Sequence, residues 1–422
     1  MVSVKNGILR IDSGSFESTM RLIFDICFFL SNVIYFDFYN RPLHNLGVAL
    51  SFLGTGCILL TKIQNRRLTH ISFGVWYLLF TVFARLSTIW AFSPGTAETR
   101  YFNIMLYTLV YSFGITQYIE YKEDFEKIIS NFVAASTVIA LSQFLASNPS
   151  VWFAGFFGSA LGQNNSNTFG IIMLYCALFA FYKAYTLNKK RFYPIFLFSF
   201  FCCILSSSRK AFLISFVGAA LIMVFSKNRK MRFIHIIIAL ILLIIGILAI
   251  FETDALYKII GYRLENLIKF NSGETVQEGS LPMRKFMIDY AKQLFRSRPI
   301  LGYGYANYSI MLAENTYLRR AVYAHNTYYE LLADLGIVGF ALYYSSHAYI
   351  SIKLLVKYFK EKFNSITMLA IVIMITKFTC DTATVSMLEP NFQAMLAIAF
   401  SAVFIDVTQS KKQFFFDRDS RS

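Results

Sequence analysis

The chain has 422 residues, of which 56% are apolar, 18% aromatic and only 15% charged, with a formal charge of +16. Water-soluble domains carry about a quarter charged residues, so this composition excludes a soluble globular enzyme. The basic residues sit in short clusters between apolar runs rather than on one face, which excludes a nucleic-acid groove and points to membrane topology.

Residues 1–20 are polar. Twelve apolar segments follow, at 21–39, 43–61, 70–90, 101–119, 128–146, 166–186, 192–208, 211–226, 233–251, 327–351, 365–380 and 391–408. Most approach the roughly 20 residues that cross the hydrocarbon of a bilayer; the stretch Phe233 to Ile250 has no Asp, Glu, Lys or Arg at all. The pattern predicts an all-α fold, a polytopic integral membrane protein of about 12 transmembrane helices. The first apolar run leads into another span with no small-residue cleavage pattern, so it is expected to remain as a span.

Charge supports this map independently. With the N-terminus inside, the inner connections hold clusters such as Lys62, Arg66 and Arg67, Lys189-Lys190-Arg191, and Arg229, Lys230 and Arg232. The short outer connections hold only Arg41, Arg100, Arg209 and Lys210, as the positive-inside bias requires. Three parts result: an N-terminal membrane region 1–251, a long extracytoplasmic loop 252–326, and a C-terminal membrane region 327–422 ending in a cytoplasmic tail. Six cysteines (27, 57, 176, 202, 203, 380) lie in or beside apolar segments without metal-ligand spacing and read as packing residues.

Within the loop, Asn271-Ser272-Gly273 and Glu278-Gly279-Ser280 read as turns. From Pro282 the pattern becomes helical. Met283, Phe286, Met287, Tyr290 and Leu294 share one face, and Arg284, Lys285, Asp289 and Lys292 take others. Such an amphipathic helix is expected to lie along the outer interface. Pro299 ends it, and a turn bearing Gly302 and Gly304 follows. Asp381 and Glu389 are brought to the same side by the last outer connection. Arg85 and Lys377 fall inside apolar segments, where charges mark pathways or salt bridges.

Several of these residues suit one chemistry. Arg209 and Lys210 follow Ser206-Ser207-Ser208 at the outer end of a span. They either snorkel to lipid headgroups or clamp a phosphate, for which the planar guanidinium fork is well matched. Arg284, leading the amphipathic helix, has the same two readings. His325 joins the loop to the next span with Asn326, Tyr323 and Tyr328 beside it, and imidazole can accept and donate a proton near neutral pH. Activating a sugar hydroxyl needs that ability, or else a carboxylate. Gly302 and Gly304 permit close backbone approach to a head group. No Walker lysine, dinucleotide fingerprint or metal-ligand cluster accompanies them.

These residues resemble the O-antigen ligase / O-antigen polymerase superfamily of polytopic bacterial membrane glycan transferases. The resemblance rests on Arg284 to Asn307, on Ala324 to Gly339, on Ser206 to Ala211, and on Gly162 to Asn167. It implies an enzyme of the bacterial cytoplasmic membrane that needs no metal or other cofactor. Its substrate would be an undecaprenyl-diphosphate-linked glycan, and its surroundings membrane lipids, a flippase and a chain-length regulator. By motif position Arg209 and Arg284, with Lys210, would contact the diphosphate and His325 would act as base or orient the acceptor. Asn164, Asn167, Gly302, Gly304, Tyr323, Asn326 and Tyr328 are then expected near the glycan or acceptor. Polymerisation of lipid-linked repeat units at the outer face is the expected reaction. Ligation to lipid A core or protein is the alternative, and a lipid-linked oligosaccharide transporter the rival class.

Overall fold

The computed structural model describes the chain apart from residues 1, 6, 7, 12, 38–40, 150, 151, 153–156, 159–164, 227, 228, 275, 277, 278, 362, 363, 388 and 407–422. Asn164 and the expected cytoplasmic tail beyond residue 406 lie outside the described residues.

A short antiparallel hairpin, β1 (Val2–Lys5) with β2 (Ile8–Ile11), comes first. The rest is helical: α1 (Ser13–Asp37), α2 (Arg41–Gln64), α3 (Ile71–Leu86), α4 (Pro94–Tyr118), α5 (Lys122–Ala146), α6 (Ser166–Phe181), α7 (Tyr193–Leu205), α8 (Arg209–Phe225) and α9 (Arg229–Glu252). After these come α10 (Asp254–Leu256), α11 (Tyr262–Asn271), α12 (Ser280–Ser297), α13 (Asn307–Asn315), α14 (Thr327–Lys360), α15 (Ser365–Asp381) and α16 (Pro390–Phe404). Each of the twelve apolar segments falls on a helix. Among the described residues, however, only four helices are long and apolar enough to cross a membrane: Leu43–Gln64, Ile71–Trp90, Lys122–Ala146 and Ser166–Thr186. The expectation of about twelve spans is corrected to four on this measure. Several of the remaining helices fall short of the 18 residues that such a crossing takes. Helix α7 has 13 residues, α16 has 15, and α8 and α15 have 17 each.

The bundle is built around α6 and α16. Helix α6 is buried without a break from Phe169 to Phe181, and α16 from Pro390 to Ala402. A helix apolar on every side and covered on every side must occupy the middle of an assembly. Outer helices show the opposite pattern. Val75, Leu78, Leu79 and Val82 of α3, Ile244, Ile245 and Leu248 of α9, and Ile352, Val356 and Phe359 of α14 all face outward. Apolar ridges of this extent mark a surface whose solvent is lipid. The architecture is that of a multi-pass membrane protein.

Several charges inside the bundle are paired. Arg21 of α1 bonds Glu17, Glu120 and Asp124 at 3.1 Å each, and Lys62 of α2 meets Glu120. Tyr118 and Asn131 donate to Asp25, closing a latch between α1, α2, α4 and α5. Lys377 is fully buried in a salt bridge to Asp381 one turn on (2.8 Å). Of the two readings open for it, this is the salt bridge. Arg85 differs from expectation: it is exposed in the last turn of α3, where a cation complements the helix dipole. All six cysteines are buried and free.

The loop between α9 and α14 is largely helical. The apolar face of helix α12 is turned onto protein. Met287, Ala291 and Leu294 pack under Tyr308, Met311 and Leu312 of α13 and Ala333 of α14. Protein has taken the place of lipid as the cover for its apolar face. The turn after α12 is bolted to a break in α14. At Gly336 (φ 62°, ψ −165°) the helix kinks, freeing two carbonyls and two amides that the turn then takes up. Tyr303 and Gly304 donate to the carbonyls of Ala333 and Asp334 (3.0 and 2.8 Å), while Ile337 donates to the Pro299 carbonyl (2.8 Å). The Asp334 carboxylate caps the start of α13 by accepting from the amides of Ala306 and Tyr308.

A Cβ at Gly336 would sit 2.2 Å from the Ile300 carbonyl oxygen, in a backbone region that side chains avoid. Gly336→Ala is expected to destabilise the protein by at least about 1–3 kcal/mol. The check is a lowered thermal unfolding midpoint in detergent; an unchanged midpoint would rule the bolt out.

Candidate functional site

Five segments converge at the ends of α6, α8, α12, α14 and α16. They enclose a cavity of about 160 Å³ that Asn165 and Asn167 of α6, Lys210 of α8, and Arg284 of α12 line on one side. Tyr305 and Ser309 close the second wall, and Tyr323, His325 and Glu330 the third. Thr384, Met387 and Glu389, from the connection between α15 and α16, complete it. A second cavity of about 280 Å³ adjoins it, lined by Arg209, Arg263, Leu213, Ile214, Leu267 and Leu281. Asn167, Lys210 and Arg284 line both. The two volumes are therefore lobes of one cleft, one lobe mixing cations with aliphatic walls and the other carrying imidazole and carboxylates.

Local structure explains each position. Asn165 caps α6 by accepting from the Asn167 amide (3.0 Å). Ser207 (φ 53°) turns the chain sharply between α7 and α8, so that Arg209 and Lys210 occupy the first turn of α8. The Arg209 guanidinium donates to the Arg263 carbonyl (2.9 Å), and Arg263 returns a bond to the Ser207 carbonyl (3.1 Å). Lys210 Nζ donates to the Ala383 carbonyl (3.1 Å). His325 has a left-handed backbone (φ 55°) just before Asn326, whose side chain caps α14 by accepting from the Tyr329 amide. The His325 ring lies against that of Tyr323, centroids 4.2 Å apart.

The connection bearing Glu389 is held from behind. Lys377 Nζ donates to Ser386 Oγ (2.8 Å), and Thr327 Oγ1 bonds the Thr384 carbonyl (2.7 Å) and accepts from the Ser386 amide (3.0 Å). Asn326 Nδ2 donates to the Thr382 carbonyl (3.1 Å).

Electrostatics sets the protonation states. Burial, then the positive charges of Arg284 and Lys210, push the His325 imidazole down to about 3, so it is neutral at physiological pH. Burial in the cavity wall raises the Glu389 carboxyl above its ordinary range, with Lys210 pulling the other way. Among the described residues no hydrogen bond or ion pair engages either the His325 ring nitrogens or the Glu389 carboxylate. No group of three or more His, Cys, Asp and Glu side chains is placed to hold a metal ion among the described residues.

Of the expected site residues, the structure brings His325, Arg284, Lys210, Asn167 and Tyr323 to one cavity and Arg209 to the adjoining lobe. Four others do different work. Gly302 and Gly304 (φ 65° and 94°) line neither lobe; a Cβ on Gly302 would strike the Asp334 carbonyl of α14, and one on Gly304 would strike Ala91. Asn326 caps a helix and ties a loop. Tyr328 donates to the Phe378 carbonyl (3.0 Å) and stacks on Tyr344. Sequence reasoning missed the contributions of Glu330, Arg263 and Asn165. It placed Glu389 on the right side without assigning it a role; a glutamate directly before Pro390 at a span entrance was the available signal.

The fold and site define a multi-pass helical membrane protein with a cationic, partly apolar cleft at its helix ends. Residues 194–344, which carry Arg209, Lys210, Arg284 and His325, match the family model described as O-antigen ligase, which supports the likeness to the O-antigen ligase / O-antigen polymerase superfamily. No curated protein matches the chain.

Proposed function

We propose that this protein transfers a glycan from an undecaprenyl-diphosphate carrier to a sugar hydroxyl of a second lipid-linked repeat unit, lengthening a surface polysaccharide. The observation that supports this reading is the two-lobed cleft. Its cationic lobe meets a lobe with proton-accepting side chains at Arg284, Lys210 and Asn167. The carrier diphosphate is at once handle and leaving group. It would lie against Arg209, Arg263, Arg284 and Lys210, with its prenyl chain along Leu213, Ile214, Leu267 and Leu281. Cations fixed there stabilise the negative charge that grows as the anomeric C–O bond breaks. The bond to diphosphate is itself activated, so no nucleotide is needed, and direct displacement inverts the anomeric centre. The same reading is metal-independent, because guanidinium and ammonium groups supply the positive charge.

The topology that goes with it has both termini in the cytoplasm and the cleft opening at the outer face. A flippase would deliver the substrate there and a chain-length regulator would act alongside. One observation favours a second reading: the matched family is described as O-antigen ligase, which suits transfer to lipid A core or protein.

Purified protein incubated with lipid-linked repeat units alone is expected to give a ladder of lengthened glycans and free carrier diphosphate. Transfer that needs an added unrelated acceptor would establish ligation instead. Intact lipid crossing a vesicle bilayer, with neither product, would establish transport and sink the enzymatic reading.

A further inference from the structure

The position of Glu389 has a chemical use that neither the superfamily nor the cationic lobe supplies. Glu389 is the N-cap residue of α16, yet its side chain does not cap the helix. N-cap side chains ordinarily accept from the amides of the first turn. Pro390 follows at the first helical position, and the Phe392 amide donates to the Glu389 main-chain carbonyl instead. The carboxylate instead lines the cavity, where no hydrogen bond or ion pair among the described residues engages it. Its connection is locked from behind by Lys377, Thr327 and Asn326, so the group is held in place without being consumed.

We propose that the lobe lined by Glu389, Tyr323, His325 and Asn165 takes the neutral, hydroxyl-bearing end of the acceptor glycan, and that Glu389 is the catalytic residue that accepts the acceptor's proton. This rests on the reading of the protein as a glycan transferase. In the step, the acceptor hydroxyl gives its proton to the Glu389 carboxylate while its oxygen bonds to the anomeric carbon of the donor. The C–O bond to the diphosphate breaks, and the electron pair leaves on the diphosphate beside Arg284 and Lys210. Glu389 then passes its proton to solvent, which restores the site.

His325 is poorly suited to hold that proton while Arg284 and Lys210 press on it. It serves as a neutral hydrogen-bonding wall for the acceptor. The groups that face Glu389 are Lys210 of α8, Arg284 of α12, and Tyr323, His325 and Glu330 on and before α14. Burial raises the Glu389 carboxyl and Lys210 opposes the rise. Its basic form is present above its own pKa and lost as pH falls through it.

The test compares wild type, E389Q and E389D in detergent. It measures turnover with lipid-linked repeat units, the Kd for an undecaprenyl-diphosphate-linked repeat unit, and the pH profile of kcat/KM. The expected result is a fall in kcat of about 10²-fold or more in E389Q, with donor Kd within about twofold of wild type. The acidic limb of the pH profile should vanish in E389Q, and E389D should retain part of the rate. Full turnover in E389Q with the acidic limb intact would overturn the assignment while leaving the transferase reading standing. Joint loss of donor binding and turnover would also overturn it, by showing a structural role. Wild-type protein that neither binds the lipid-linked donor nor turns it over would remove the transferase reading and this inference together.

Discussion

Arg284→Ala is expected to lower kcat/KM for glycan transfer by about 10²-fold or more, equivalent to several kcal/mol of transition-state binding. The size of the effect follows from place. Arg284 and Lys210 are the two cations that line both lobes, so Arg284 sits where charge leaves one substrate as the other attacks. Arg284→Lys should recover only part of the rate, since a point charge cannot grip two phosphate oxygens as a planar fork does. Released carrier diphosphate, assayed against an unchanged thermal midpoint, reads the effect. The same substitution should move His325 upward from about 3, because Arg284 is one of the two charges that hold it down; labelled imidazole followed by NMR reports the shift. Wild-type turnover in Arg284→Ala would dismiss the cationic leaving-group account.

Lys377→Met is expected to destabilise the protein by about 3–5 kcal/mol, the range for removing one partner of a buried ion pair. Lys377 and Asp381 are both fully buried. Without the ammonium, the Asp381 carboxylate would keep only its hydroxyl contacts from Tyr344 (2.9 Å) and Thr327. Ser386 would lose the bond that steadies the connection carrying Met387 and Glu389. The double change Lys377→Met with Asp381→Leu should recover most of the lost stability, because no buried charge is then left alone. Thermal midpoints of the three variants in detergent decide the matter. A single variant as stable as wild type would show that the pair does not hold this part of the bundle.

Much of the site could be found in the sequence because its residues stand beside marks of topology. Arg209 and Lys210 interrupt two apolar runs, and His325 closes a long polar loop exactly one residue before a helix cap; such discontinuities survive in one dimension. Arg284 was legible from helical spacing, as the polar residue at the head of an amphipathic pattern. The glycines were not. A Gly-x-Gly turn looks the same whether its bare backbone faces a ligand or other protein, and here Gly302 faces the break in α14 and Gly304 faces Ala91. Helix α12 carries a related ambiguity, since an apolar face is equally satisfied by lipid or by α13 and α14, and periodicity does not say which.

Composition and order along the chain were enough to determine that this is a helical membrane protein, because burying apolar side chains and pairing every backbone amide inside lipid leave little else. They also determined which cationic residues stand at helix ends. Only the tertiary structure decided that Glu389, more than sixty positions beyond His325, shares its cavity. Contacts of that kind depend on how helices pack side by side, and neighbours across a bundle leave no period in the sequence.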